Sequence, residues 1–339
     1  MTGTLGFAMS VMTAGTDPSA CRAFSHAQAG KVGKAILIAG PTASGKSALA
    51  LWLADRYGGV VINADSMQVY QDLRILTARP SPADEASLPH FLYGHVDGAQ
   101  AYCVAQYLRD VERTLTQAWN QEKLCIFVGG TGLYFKALLE GLSPIPPIPT
   151  PIRHKVRSQM DTLGVESLYH QLRTQDPLTA GSIHPTDHIR IVRALEVFEA
   201  TGQPLASFWQ TRDPGLLKQA QTLRLFLAPE RHKLYSTINH RVELMCAAGV
   251  AGEVHTLMER ELDPRQPIMR AHGVPWFSAY HKGTLSFEEA VALTQRDTRH
   301  YAKRQFTWFR HSLQGWHFVT RDEKKNIWDV GSLLESFQS

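Results

Sequence analysis

"AILIAGPTASGKSALALWLADRYGGVVINADSMQVY", Ala35 to Tyr70, holds an apolar run, a glycine-framed turn, a helical repeat and a second apolar run, in that order. "KAILIAG" reads as a short buried strand, "KSALALWLADRYG" has helical spacing and stops at Gly58, and "GVVINAD" is a second strand ending at Asp65. Together they make a βαβ unit. Between strand and helix, Gly40, Pro41, Thr42, Ala43, Ser44, Gly45, Lys46 and Ser47 fit G-x-x-x-x-G-K-[ST] in the context that pattern requires. The glycines let successive N–H groups point inward and the helix N-terminus adds partial positive charge. Lys46 neutralises an outer phosphate, and Ser47 can ligate Mg²⁺. Nothing in this physics requires ATP.

Downstream, a loop holding Pro80, Pro82 and Pro89 leads to the amphipathic helix "AYCVAQYLRDVERTLTQAWNQEK", then to the strand "LCIFVGG" and the helix "GLYFKALLEG". Strands alternating with helices imply a parallel sheet. The prolines of "LSPIPPIPTP", Leu142 to Pro151, cannot sit inside a helix or central strand and mark a stiff linker. From Ile152 to about Thr201 the text is helical, and "TLRLFLAP", Thr222 to Pro229, returns to strand character. The chain closes with helices, the longest at about Ser286 to His311, and a short strand "WHFVT". The expected class is α/β: a P-loop NTPase-like core with a parallel sheet and flanking helices, plus an inserted all-α domain. Its expected bounds are 33–141 and 222–320 for the core, 142–221 for the insertion and 321–339 for a C-terminal tail. Residues 1–32, rich in Ala, Ser, Thr and Gly, read as a flexible tail; a true start at Met9 or Met12, or an organelle address, are the alternatives.

Composition narrows the function classes. With 339 residues, 44% of them hydrophobic, the chain can bury a sizeable core, which excludes disorder as its main theme. A net charge of +4 is no histone-like basicity, so any nucleic-acid surface must come from local clustering. Cys21, Cys103, Cys125 and Cys246 are scattered without a C-x-x-C pair, which points to reduced thiols in a cytosol, and the histidines show no ligand spacing. No apolar run approaches the roughly 20 residues that cross a bilayer, so no membrane contact is expected.

Phosphate-loop NTPases place a second acid at the end of a neighbouring strand to hold Mg²⁺. Here "LCIFVGGTG" ends in Gly129, Gly130 and Thr131 with no acid. Such a site suits a diphosphate that departs better than a γ-phosphoryl that is transferred. Asp65, at the C-terminal end of the strand after the loop helix, lies at the sheet edge where ligands bind, so its carboxylate can face the phosphate end; capping the turn at Ser66 is its other reading. In "RHKLYSTINHRVELM", Leu234, Ile238, Arg241 and Met245 fall on one helical line, which puts an arginine among apolar side chains. Arg241 therefore needs an anion, either a core carboxylate or a bound phosphate.

Taken in order, "GPTASGKS", "NADSMQVY", "TARP", "VGGTGLYFKALLEGL", "DPLTAGSIHPTDHIRIVRALEVFEATGQPL", "INHRVELMCAAGVAGEV" and "TRHYAKRQFTWFR" resemble the tRNA dimethylallyltransferases over most of Lys34 to Phe318. The resemblance implies transfer of a dimethylallyl group from its diphosphate to the exocyclic amine of the adenosine 3′ of the anticodon, with Mg²⁺. It implies a diphosphate grip by the loop and Arg241, Asp65 as base, and Thr131 near the reacting amine; a helix N-cap is the other reading of Thr131. It also implies tRNA contacts from Asp65, Ser66, Met67 and Gln68, from Arg153, from Ile189, Arg190, Ile191, Val192 and Arg193, and from Arg270. The partners are then the tRNA anticodon stem–loop and dimethylallyl diphosphate, for a cytoplasmic monomer. One departure stands in "MRAHGVPWFSAY", where Val274 and Pro275 replace an aromatic and an arginine of the family pattern. On the last long helix, Arg296, Arg299, Lys303 and Arg310 share a face opposite Val291, Thr298, Tyr301 and Trp308, a further phosphate-binding candidate or a plainly solvated face. An isopentenyltransferase acting on free AMP or ADP would share the core, and a small-molecule kinase would share the loop.

Overall fold

The computed structural model describes residues 33–312, 314–322 and 327–338. Six strands run parallel: β1 (Lys34–Ala39), β2 (Val60–Asn63), β3 (His90–Phe91), β4 (Cys125–Gly129), β5 (Gln221–Leu227) and β6 (His317–Val319). Their order is β3-β2-β4-β1-β5-β6. The central strands are apolar at nearly every position because both faces of the sheet are covered. Alternate side chains divide between two cores. On one face Leu37, Ile62, Phe127 and Phe226 meet α3 (Val104–Asn120) and α4 (Gly132–Glu140). On the other, Ile36, Ile38, Val61, Ile126 and Leu225 meet α1 (Lys46–Tyr57). The short α2 (Pro82–Ser87) precedes β3.

The chain divides into two compact units, Ser143–Asp213 and residues 33–142 with 214–338. The smaller unit is helical: α5 (Thr150–Gln175), broken at Gly164 where φ is 77°, then α6 (Pro177–Ala180) and α7 (His188–Thr201). Val156, Leu168, Leu172, Ile191, Ala194 and Leu195 form its core. Ile148, inside the proline stretch read as a linker, is buried in that core as well. Residues 214–220, expected within the insertion, pack instead on the sheet unit: Leu217 is buried in its first core and its N–H donates to Leu138 C=O at 3.0 Å.

The remaining helices of the larger unit are α8 (Arg231–Ala247), α9 (Val250–Glu259), α10 (Val274–His281), α11 (Phe287–Ser312) and α12 (Gly331–Gln338). The stretch 321–339, expected as a tail, is a correction. Arg321–Asp322 and Ile327–Trp328 form an antiparallel ribbon, β7 and β8, and Val330, Leu334 and Phe337 are buried in the second core. Leu334 and Phe337, spaced i and i+3, give α12 the apolar stripe that docks it on the sheet, with Val330 just before its first turn. The tail expected over residues 1–32 lies outside the described residues. Among the described residues no helix is long and apolar enough to cross a membrane.

Candidate active site

The loop between β1 and α1 sits at the C-terminal edge of the sheet, where strand order reverses around β1, the position at which doubly wound sheets bind ligands. Its backbone is contorted. Gly45 has φ 89°, natural for glycine, and Ala43 has φ 63°, which costs a side-chain-bearing residue on the order of 1 kcal/mol. Packing against Leu234, Ile238 and Ala302 holds Ala43 there. The Ser44 hydroxyl is buried with no described hydrogen bond, whereas Ser47 is exposed. Lys46 Nζ donates to Pro41 C=O at 2.6 Å. Burial, and then the neighbouring Arg241 guanidinium, push the Lys46 ammonium down to about 7 against the opposing pull of Asp65. Burial likewise lowers Arg241.

No described carboxylate pairs with Arg241, so its structural alternative, an ion pair with a core acid, is not formed. The stripe on α8 also differs from the expected one: Leu234, Ile238 and Val242 are the buried residues, and Arg241 stands at their border. That border position is what carries the guanidinium to the phosphate loop. Two half-buried cations side by side, above a strand edge without the NTPase acid, are electrostatically matched to a polyanion.

Asp65 fulfils the turn reading with one oxygen only. Its Oδ1 accepts from Met67 N–H at 2.9 Å, while no described hydrogen bond engages Oδ2. Asn63, fully buried, fixes the backbone around it: Oδ1 accepts from Asp65 N–H at 2.8 Å and Nδ2 donates to Asp65 C=O at 2.9 Å. Tyr107 in turn donates to Asn63 C=O at 3.0 Å. The Asp65 charge is felt by three phenols, Tyr93, Tyr134 and Tyr301, all pushed up mainly by burial. Thr131 occupies the N-cap position of α4, yet its hydroxyl turns elsewhere: Oγ1 accepts from Ser66 N–H at 2.9 Å and reaches Ser66 Oγ at 3.3 Å. Thus Thr131 braces the turn that carries Asp65. The "GGTG" that links β4 to α4 and the "DSMQ" after β2 meet at one edge.

The profile of the IPP transferase family matches residues 68–312, and that of the isopentenyl transferases matches residues 33–91. The tRNA dimethylallyltransferase of Methylobacterium nodulans is 57% identical over 292 residues, covering 86% of this chain and 96% of the relative. That of Bradyrhizobium sp. (strain ORS 278) is 52% identical over 294 residues, covering 87% and 96%. The chain belongs to the tRNA dimethylallyltransferase family. Solved structures agree with that membership. The tRNA isopentenylpyrophosphate transferase of Bacillus halodurans shares 32% identity at a TM-score of 0.61, covering 90% of this chain and 94% of that one. A eukaryotic dimethylallyltransferase acting on tRNA shares 27% at 0.72, covering 85% and 74%.

In this tRNA dimethylallyltransferase family member the expected RNA-contacting positions divide by exposure. Ile189 is 68% exposed, and Arg153 and Arg270 are exposed. Arg190 pairs loosely with Asp187 at 3.4 Å, and Arg193 with Glu196 at 3.6 Å. Ile191 is a correction: on the inward face of α7 it is 0% exposed, and its side chain cannot meet an RNA. Val192 packs against the same core, and Met67 against the core formed with α9 and α10. Both amide N–H groups of Gln68 are committed to Thr77 and Ala78 C=O, at 2.8 and 3.0 Å, so this side chain pins the "TARP" segment.

On α11 the expected basic face shifts. Arg299 donates to Asn239 of α8, and Arg296 pairs with Asp297 beside the Trp276 ring. The open groove is lined instead by His300, Lys303, Arg304, Thr307 and Trp308. Sequence reading missed Arg304 there, as it missed Asn63 and Gln305. The i, i+3, i+4, i+7 spacing of 300, 303, 304 and 307 is the signal that marks the groove.

Proposed function

We propose that the protein transfers the dimethylallyl group of dimethylallyl diphosphate to the exocyclic amine of the adenosine just 3′ of the anticodon in tRNA. Family membership supports this reading, and one observation carries its chemistry: Asp65, whose Oδ2 has no hydrogen bond among the described residues, stands near Lys46 and Arg241, which form no ion pair among those residues. In the reaction the allylic C–O bond breaks with its electron pair leaving on the diphosphate, the amine nitrogen bonds the allylic carbon, and the amine proton passes to Asp65. An adenine amine is a poor nucleophile because its lone pair is delocalised into the ring, so removal of that proton makes the attack favourable. Lys46 and Arg241 stabilise the charge that develops on the leaving group.

Magnesium fits the donors at the loop. Ser47 offers an exposed hydroxyl with no described hydrogen bond; no three His, Cys, Asp or Glu side chains gather as ligands among the described residues, so Ser47 would hold the ion together with diphosphate oxygens and water. When bound, the ion would take up part of the leaving-group charge. Replacing Arg241 by alanine is expected to weaken dimethylallyl diphosphate binding by about 1.5–3 kcal/mol, roughly 10- to 150-fold in Kd. Equilibrium binding beside a thermal melt checks this. Lost stability with unchanged affinity would return Arg241 to a packing role.

The target base is stacked in its loop and must be flipped out, at a cost of a few kcal/mol that phosphate contacts must offset. Arg153, Arg190, Arg193 and Arg270 are the cations offered for this, with Lys303 and Arg304 of the α11 groove. A second reading, transfer to free AMP or ADP, is favoured by the isopentenyl transferase match over residues 33–91. The helical unit Ser143–Asp213 speaks for the larger acceptor. Labelled-prenyl transfer decides: an anticodon stem–loop is modified and AMP is not, and Arg190→Ala with Arg193→Ala raises the RNA KM with less effect on the diphosphate. Each lost phosphate contact lowers the salt slope by about 0.7–0.9. Efficient modification of AMP sinks the tRNA reading and leaves the chemistry standing. The reading takes the enzyme as cytoplasmic, in keeping with the free thiols of Cys103, Cys125 and Cys246, and as a monomer.

A further inference from the structure

Gln305 lies on the inward stripe of α11 with Ala302 and Phe309 and is 5% exposed. Its amide is used at both ends. Oε1 accepts from Thr42 N–H in the phosphate loop at 3.0 Å, and Nε2 donates to Gly130 C=O at the end of β4 at 2.9 Å. A backbone donor on one side and a backbone acceptor on the other call for a neutral side chain that both accepts and donates, and they fix the amide in this one orientation. Gly130 makes room for it, since a Cβ there would lie 2.0 Å from Nε2; the same Cβ would be 3.5 Å from Asp65 Oδ2.

The two segments so joined have opposite tasks. Thr42 precedes Ala43, the strained residue of the loop that grips the diphosphate. Gly130 precedes Thr131, whose hydroxyl holds Ser66 beside Asp65. The allylic carbon is presented from the first segment and the amine is deprotonated at the second. In-line attack needs the reacting atoms about 3–3.5 Å apart, and a misplacement of about 1 Å costs on the order of 10²-fold in rate.

We propose that Gln305 is a positioning residue which sets the spacing between the diphosphate loop and the Asp65–Thr131 turn, and with it the approach of the amine to the allylic carbon. This rests on the prenyl-transfer function proposed above. The test uses the full chain with Gln305→Met, which keeps length and loses both hydrogen bonds, and Gln305→Glu. A protonated glutamic acid reproduces both bonds, its C=O accepting from Thr42 N–H and its O–H donating to Gly130 C=O; the carboxylate loses the second and faces a carbonyl. Steady-state kinetics are run on an anticodon stem–loop and on AMP, with thermal melts alongside.

Gln305→Met is expected to lower kcat by about 10²-fold while KM for dimethylallyl diphosphate moves by less than about tenfold. The rate of Gln305→Glu relative to wild type falls as pH rises from about 6 to about 9; Asp65, Lys46, His272 and Tyr301 face the site in both proteins, and the ratio removes what they contribute in common. A kcat for Gln305→Met within about threefold of wild type overturns the proposal whatever the melting temperature, because the role is then structural. A flat ratio overturns it equally, and decides alone if Gln305→Met does not fold. Wild-type transfer to AMP alone overturns the tRNA reading, with the Gln305 variants still scored on AMP. Absence of transfer to either acceptor overturns both.

Discussion

Replacing Lys46 by methionine lowers kcat for prenyl transfer by about 10²–10³-fold, the range seen when one preorganised group is removed from a developing anion. On the function proposed above, the allylic C–O bond breaks as charge collects on the diphosphate, and Lys46 begins the helix that follows the loop proposed to hold it. Its half-buried position makes it a strong ligand and a poor structural element. With its pKa held at about 7 by burial and by Arg241, against an ordinary 10.5, the unfolded chain binds the proton more tightly than the folded one between these values. The charged lysine thus destabilises the ligand-free fold fully below about pH 7, and the penalty fades as pH rises towards 10.5. Lys46→Met should therefore be at least as stable as wild type at neutral pH, with the difference closing in alkali. Thermal melts at two pH values, with and without diphosphate, read this directly. A variant that loses stability along with activity would mean that Lys46 is a structural cation.

Asp65→Asn is the second large effect, a fall in kcat of about 10²–10⁴-fold, the usual worth of a positioned base. The substitution separates the two roles of this side chain. An asparagine keeps an oxygen for Met67 N–H, so the turn built on the 2.9 Å contact survives, and an amide cannot take the amine proton. Melting temperature and dimethylallyl diphosphate affinity are expected to stay near wild type. Asp65→Ala removes the turn contact too and should lose stability as well as rate. Near-wild-type turnover by Asp65→Asn would leave Asp65 with the turn alone.

The ability to bind a phosphate is legible in the chain between Lys34 and Asp65, because every determinant there is local. Strand length, helical period, the glycine pair and Lys46–Ser47 all act within one βαβ unit, and Asp65 reaches the ligand edge simply by following β2. The missing acid after β4 is equally plain in the sequence. What only the tertiary structure decided are the meetings between segments far apart in the chain. Arg241 reaches Lys46 because α8 packs its Leu234, Ile238 and Val242 stripe inward, a helical phase one residue away from the line read off the sequence. Ile191 is lost to the core of its unit although it neighbours the exposed Ile189 and Arg190, since rotation by about 100° per residue separates adjacent side chains on a helix. The short stripe of α12 could be seen as core only once β5 and α1 had left an apolar face for it to cover. Gln305, a polar residue in a basic helix, acquires its meaning from Thr42 and Gly130, 263 and 175 residues away. A side-chain amide has no periodicity of its own; its role is set by the donor and acceptor that folding brings to its two ends.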